Sequence, residues 1–281
     1  ANVPIVPGYH GRDQRITSLK KEATEIGYPL LIKAVAGGGG KGMRLVEDAQ
    51  NFSDALSSAK SEAMSAFGNS DVLLEKYVST PRHIEVQVFG DGEKTLHLFE
   101  RDCSLQRRYQ KVIEEAPAPG IAEPVRKAIC AAAVRASQAI GFKGAGTVEF
   151  IADGSSGLSA DKFWFLEMNT RLQVEHPVTE AVTGIDIVEW QLRVSAGEKI
   201  ALEQKDLRLN GHAIEARVYA EDAANGFLPA PGRLDHVRFS KRSRNDSAVR
   251  AGDQISPFYD PMIAKVIVHE ETRLQRSAGR L

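Results

Sequence analysis

Apolar residues at Ile16, Leu19, Ala23 and Ile26 follow three- and four-residue spacing, which predicts a helix capped by Asp13 and closed by Gly27. Pro29 ends that pattern. Residues 30–35 then read as a short apolar strand interrupted by Lys33, and the strand runs into the glycine-rich stretch Gly37 to Gly42. Residues 43–46 predict a returning strand, Asp48 caps a helix reaching about Gly68, and residues 71–77 form another strand. From His83 to Phe89 polar and apolar residues alternate, and Asp91-Gly92 predicts a two-residue hairpin leading to a partner strand at 95–99. Glu123-Pro124 opens an alanine-rich helix ending near Gly141. Strands at 147–152 and 163–168 flank the polar loop 153–161, Asp186 caps a helix to about Ala196, and residues 197–210 connect to a further β-rich piece. There is no internal repeat.

Composition narrows the function classes. Thirty-six basic and 37 acidic residues in a chain of 281 leave a formal charge of −1, which argues against general nucleic-acid coating. A hydrophobic share of 42% is that of a globular chain with room for a core, and no stretch approaches the roughly 20 apolar residues that cross a bilayer. Cys103 and Cys130 form no paired spacing, so neither a disulfide framework nor a zinc cluster is expected, and the compartment is expected to be reducing. Both read as small buried hydrophobes. The first residue, Ala1, is followed by no signal-peptide pattern, and the two ends together read as those of a fragment.

Two constellations carry chemistry. Four successive glycines behind a strand let backbone amides approach an anion, although Lys41 is followed by Gly42 and so breaks the Walker pattern. By themselves they fit a surface turn equally well. Lys33, inside the preceding strand, tips the reading towards phosphate, because a lysine removed from water needs an anion. The second constellation depends on alternation. If the chain stays extended from Phe163 to His176, then Glu167, Asn169, Arg171, Gln173 and Glu175 project to one side, with Glu149 on the neighbouring strand facing the same way. Two carboxylates and an amide suit Mg²⁺. Arg171 offers a fork for a small carboxylate-like anion, beside which a carboxylate can act as general base; a simple Arg171–Glu175 ion pair is the alternative.

Three strings tie these residues to a family. ERDCSLQRRYQKVIEEAP (Glu100–Pro117), GAGTVEF (Gly144–Phe150) and FLEMNTRLQVEHP (Phe165–Pro177) resemble the biotin carboxylase component of biotin-dependent carboxylases, an ATP-grasp enzyme. Residues 211–221, 227–232 and 255–265 resemble the family's C-terminal region, and VEWQL (Val188–Leu192) resembles acyl-CoA carboxylase subunits of the methylcrotonyl- or propionyl-CoA type.

The resemblance implies an α+β, ATP-grasp fold: a glycine-rich lid subdomain over 1–77, a catalytic subdomain over 78–205 and a truncated biotin carboxylase C-terminal domain over 206–281. It implies that Lys33, under a lid carrying Gly38, Gly39 and Gly40, holds ATP phosphates. Adenine would be met by Glu75, Lys76 and Val78, with His83 and Gln106 near the ribose and phosphates. Glu149, Glu167 and Asn169 would bind Mg²⁺ or Mn²⁺; Lys111, Arg171, Gln173 and Val174 would position bicarbonate, with Glu175 as its base. Arg244 would steady the biotin enolate, behind an atypical loop at 240–243. Implied partners are a biotin carboxyl carrier domain and a carboxyltransferase subunit, with a homodimer in the full-length form and no nucleic acid or membrane. Bacterial cytoplasm and mitochondrial matrix both suit the redox reading. Tyr109 departs from the family's frequent His, and the family's N-terminal Rossmann-like domain is not represented. Two alternatives remain: another ATP-grasp ligase, such as a carbamoyl-phosphate synthetase half, and a nucleotide-binding fragment without catalysis.

Overall fold

A computed structural model of the chain describes residues 1–36, 42–108 and 110–274. The lid residues Gly38, Gly39 and Gly40, their neighbours Gly37 and Lys41, Tyr109 and the last seven residues lie outside the described ones.

The first unit comprises β1 (Gly8–Tyr9), α1 (Ile16–Ile26), β2 (Leu30–Ala34), β3 (Met43–Val46), α2 (Phe52–Phe67) and β4 (Val72–Lys76). Its four strands form one sheet in the order β1-β4-β2-β3. Alternation places Leu30, Ile32 and Ala34 inward, and the first two meet Leu19 and Ala23 of α1 and Phe52, Leu56 and Ala59 of α2 in a single apolar cluster. The expected caps differ in detail. Asp13 bonds the Arg15 backbone and the Ser18 hydroxyl from ahead of α1, whose N-cap is Arg15. Likewise Asp48 accepts from the amides of Gln50 and Asn51, and Asn51 occupies the N-cap of α2. In each case the carboxylate organises the turn before the helix, which composition alone does not separate from a true cap.

The second unit follows as β5 (Pro81–Asp91), β6 (Thr95–Arg107), β7 (Gln110–Ala116), α3 (Glu123–Gln138), β8 (Lys143–Asp153), β9 (Phe163–Asn169), α4 (His176–Thr183), α5 (Ile187–Ser195) and β10 (His212–Tyr219). Short strands β11 (Glu221–Asp222), β12 (Leu228–Pro229) and β13 (Gly232–Arg233) precede β14 (Arg244–Ser247), β15 (Gln254–Ile255) and β16 (Met262–Glu270). Among the described residues, eight of these strands form one sheet in the order β14-β16-β10-β7-β6-β5-β8-β9. The boundary between the small and large sheets falls between Lys76 and Pro81, whereas the large sheet runs on past residue 206.

Period-two alternation sorts the large sheet into two faces. Ile84, Val86, Val88, Val148, Phe150 and Ala152 lie beneath α3 with Ile129, Cys130 and Ala133. The opposite face of the same strands carries Glu85, Gln87, Thr147 and Glu149, all buried. Both cysteines are free and buried, as the sequence suggests. Asp186 does cap α5, accepting the Glu189 amide at 2.8 Å.

The β5–β6 hairpin closes with the Asp91 amide bonding the Lys94 carbonyl beside the Gly90–Thr95 pair, so its two-residue loop is Gly92-Glu93, one residue on from the Asp91-Gly92 step. Asp91 accepts the amides of Glu93 (2.9 Å) and Lys94 (2.7 Å) through one oxygen and that of Ile200 (3.1 Å) through the other. Burial works against its ionised form, yet these bonds hold its carboxyl down at about 2. Since one side chain serves both the turn and the segment after α5, Asp91→Ala is expected to cost about 1–3 kcal/mol. Urea unfolding measures this; a change within about 0.5 kcal/mol would show the three bonds to be dispensable.

Candidate active site

The buried polar face is organised by register. Glu85 pairs with Arg101 on one side and Glu149 on the other, and Glu149 pairs with Glu167, so one rung across β6-β5-β8-β9 reads Arg-Glu-Glu-Glu. Three carboxylates in a row repel unless cations answer them. Arg101, fully buried, does so at one end: Nε donates to Glu85 Oε1 at 2.6 Å, and the remaining guanidinium donors reach Gln87 (2.7 Å), Thr179 (2.9 Å) and Thr147 (3.1 Å). Lys111 does so in the middle, its Nζ lying 2.5 Å from Glu85, 2.8 Å from Glu149 and 2.6 Å from Glu175. Burial alone would discharge this lysine, but the carboxylates raise its pKa above the usual lysine range.

His83 closes the rung on the β5 side, with Nε2 2.9 Å from Glu149 and 3.7 Å from Glu85. Burial opposes its charge, and the neighbouring carboxylates, Glu149 foremost and then Glu85, overcome that and push its pKa up to about 9. Gln106 contacts the other ring nitrogen at 3.3 Å and donates to the Cys103 carbonyl at 2.8 Å, which joins two residues expected near the ribose. Burial raises the pKa of Glu149, but its bond to His83 and the Lys111 charge outweigh that and leave it lowered to about 2.

At the open end Glu167 is exposed, on the edge strand β9. The Asn169 amide bridges Glu149 (3.0 Å) and Glu167 (3.1 Å). A hard dication suits this donor set of two carboxylates and an amide oxygen, and Asn169 already sits where an amide turned about its axis would present that oxygen. A second grouping brings donors of His83, Glu85 and Glu149 within 4.8 Å of one another, but the Lys111 ammonium stands against both of its carboxylates. The rung therefore offers a metal its Glu167 end.

The extended path expected from Phe163 to His176 stops at Asn169. Pro177, in the first turn, starts α4, and Glu175 becomes its N-cap. Glu175 nonetheless lands in the cluster: it is buried, holds Lys111, and accepts Arg217 Nη2 at 3.0 Å. Gln173 is buried and donates to Glu149 at 3.1 Å; the Val174 carbonyl accepts from Lys265 at 2.7 Å. Arg171 is exposed and bonds the Leu172 carbonyl at 3.2 Å, so the simple Arg171–Glu175 pair does not form.

Three other expected positions are engaged by the chain's own groups. Lys33 lies on the half-exposed face of β2 and is answered by Glu75, its diagonal neighbour across β4, so the strand does not leave it in want of an anion. Lys76 donates to the carbonyls of Gly27 (3.2 Å) and Tyr28 (2.8 Å), tying the turn after α1, while Val78 is buried beside it. Arg244, on β14, pairs with Glu180 (2.7 Å) and Asp246 (2.9 Å), outside the Lys111 cluster. The guanidinium beside Glu175 belongs to Arg217. Sequence reasoning passed over Arg217, Arg101 and Glu85, although polar residues two apart in apolar strands (Glu85 and Gln87; Glu215 and Arg217) carry the same signal that selected Glu167 and Asn169.

A small sheet joined through residues 77–80 to a large antiparallel sheet, whose polar face gathers a carboxylate row and its cations, defines an ATP-grasp fold. The chain belongs to the family described as Carbamoyl-phosphate synthase L chain, ATP binding domain, whose family model matches residues 1–203. The model of the Biotin carboxylase C-terminal domain matches residues 215–278. The chain is 55% identical over 277 residues to the mitochondrial methylcrotonoyl-CoA carboxylase subunit alpha of Rattus norvegicus, covering 97% of this chain and 38% of that protein. It is 49% identical to biotin carboxylase 2 of Bacillus subtilis, covering 98% and 61%. Among solved structures, it resembles a Campylobacter jejuni biotin carboxylase–β,γ-ATP complex with TM-score 0.83 at 46% identity, covering 97% of this chain and 60% of that one. It also resembles the biotin carboxylase domain dimer of the Hydrogenobacter thermophilus 2-oxoglutarate carboxylase in complex with MgADP, ADP and bicarbonate, with TM-score 0.81 at 45% identity, covering 98% and 62%. The chain thus spans between about two fifths and three fifths of the relatives it matches.

Proposed function

We propose that this chain carries the nucleotide and bicarbonate sites of a biotin carboxylase, which joins ATP and bicarbonate into carboxyphosphate and passes the carboxyl group to the ureido nitrogen of biotin on a carrier domain. The observation that carries the reading is the single rung Arg101-Glu85-Glu149-Glu167 with Lys111 and Glu175 gathered against it. The likeness to a structure with MgADP and bicarbonate supports it. In this reading residues 1–77 form the lid subdomain, 78–205 the catalytic subdomain and 206–281 part of the C-terminal domain. The enzyme works in bacterial cytoplasm or mitochondrial matrix, as a homodimer served by a carboxyltransferase subunit. No helix among the described residues is long and apolar enough to cross a membrane.

The chain's own residues manage anions. Lys33 would turn from Glu75 to the ATP phosphates; Glu149, Glu167 and Asn169 would hold Mg²⁺ or Mn²⁺, which would supply neutralisation of phosphate charge. Glu75, Lys76 and Val78 border the adenine, and His83 and Gln106 the ribose and phosphates. Lys111, Arg171, Gln173 and Val174 position bicarbonate. Glu175, bonded by Lys111 and Arg217, takes its proton. Arg217, beside the base, suits the biotin enolate better than Arg244, whose guanidinium is held by Glu180 and Asp246.

In the enzyme carrying this chain, ATP cleavage is expected to require bicarbonate and to rise with added free biotin. Bicarbonate-dependent cleavage indifferent to biotin would favour another ATP-grasp ligase, and nucleotide binding without turnover a non-catalytic module.

A further inference from the structure

Behind Arg217 the same face of the sheet carries a second acid pair that the reaction above does not use. Glu215 on β10 faces Glu114 on β7 directly across the ladder. Both are fully buried. Arg217 Nε bonds Glu114 Oε1 at 2.6 Å and its Nη2 bonds Glu175, so one guanidinium spans the acid pair and the proposed base. Three carboxylate oxygens have no hydrogen-bond partner: Glu114 Oε2 and both oxygens of Glu215.

The charged groups around Glu215 are already committed. From β7 comes Glu114; from its own strand, Arg217, bound as described. Lys265 of β16 donates to the Val174 carbonyl and lies 3.6 Å from Asp246. Arg101 of β6 is spent on Glu85 and three neutral acceptors. At the start of α4, Glu175 is bound to Lys111 and Arg217, and His176 Nδ1 lies 2.8 Å from the Gln173 carbonyl. An ionised carboxylate without a bonded cation or donor, at zero exposure, is too costly to persist, so the side chain keeps its proton. Burial, only partly relieved by Lys265, pushes the Glu215 carboxyl up to about 8, and burial, relieved by Arg217, holds Glu114 at about 7.

We infer that Glu215, facing Glu114, is a protonated positioning residue of the bicarbonate site, which leaves Arg217 to Glu175 and the anion by contributing no negative charge of its own. This rests on the bicarbonate reading. Loss of the proton adds a negative charge behind Arg217, which competes for the guanidinium and repels an incoming anion. Bicarbonate binding therefore weakens as pH rises through the Glu215 titration, by roughly tenfold for a unit charge at this kind of separation.

Two readouts separate the proton from the reaction. Infrared difference spectra of the folded chain should show a carboxylic-acid carbonyl band that persists above about pH 6, where ordinary glutamates have ionised, and fades near about pH 8. Glu215→Gln should remove the part of the band that fades near about pH 8. Glu114→Gln, which deletes the facing charge and serves should the first variant not fold, should move the fading to lower pH. Absence of the band, or its survival unchanged in Glu215→Gln, would overturn the inference. In the enzyme, KM for bicarbonate, with bicarbonate concentration corrected for carbonate, should rise roughly tenfold between about pH 7 and about pH 9 in wild type, with no such rise in Glu215→Gln. An equal rise in both would overturn the positioning role. Should the band behave as stated while no bicarbonate-dependent turnover exists, the bicarbonate reading alone would fall.

Discussion

Arg101→Met is expected to destabilise the fold by about 3–5 kcal/mol, because it strips a fully buried cation from the carboxylate rung and leaves a buried charge less than fully answered. The guanidinium bonds four side chains from two strands and one helix: Glu85, Gln87, Thr147 and Thr179. Methionine fills much of the volume and satisfies none of them. Lys111 still reaches Glu85, which keeps the loss finite. Urea unfolding measures the change, and the double variant Arg101→Met/Glu85→Gln should lose less than the sum of the singles, since removing both charges spares the penalty of an orphan. A single-variant loss below about 1 kcal/mol, or strict additivity, would mean that the rung is not held together by this pair.

Glu167→Gln is expected to abolish bicarbonate-dependent ATP cleavage with little effect on stability. The two effects part company because of position. Glu149 is buried against His83, Lys111, Asn169 and Gln173, so its replacement disturbs packing as well as charge. Glu167 stands exposed on the edge strand, bonded only by Asn169 among the described residues, so its carboxylate has little structural work. Removing one of two anionic ligands of a divalent ion costs several kcal/mol of phosphate neutralisation, or about two to three orders of magnitude in rate. Arg171→Ala should also abolish cleavage, through bicarbonate and not metal, since its exposed guanidinium is free of the rung. Wild-type rates in either variant would refute the assignment of that residue.

Much of this was legible in the chain itself. Alternation at 83–89 and 147–152, together with helical spacing at 16–26, located elements whose faces then followed. Glu149 and Glu167 were selected as a pair from strand parity, and register does make them direct partners. What the sequence could not display was register between distant strands. Glu85, Arg101 and Glu149 meet only because β6, β5 and β8 align at those residues, with a register shift at Val86 to Val88 beside them. The same blindness made Lys33 look unanswered, its partner Glu75 lying more than forty residues on. The stretch after Asn169 misled for a different reason: its polar residues alternate like a strand, yet Pro177 seeds a helix that swings Glu175 back to Lys111. Arg244 and Arg217 show the limit of choosing by local string, since only the sheet reveals which guanidinium reaches Glu175.

The most direct test of the metal-nucleotide site is a titration of Mn²⁺·ADP into the enzyme carrying this chain and into its Glu167→Gln variant, followed by the paramagnetic resonance of the manganese. A bound-manganese signal in wild type, weakened roughly a hundredfold or more in affinity by Glu167→Gln at an unchanged thermal midpoint, is the predicted result. Equal affinity in the two proteins would contradict it.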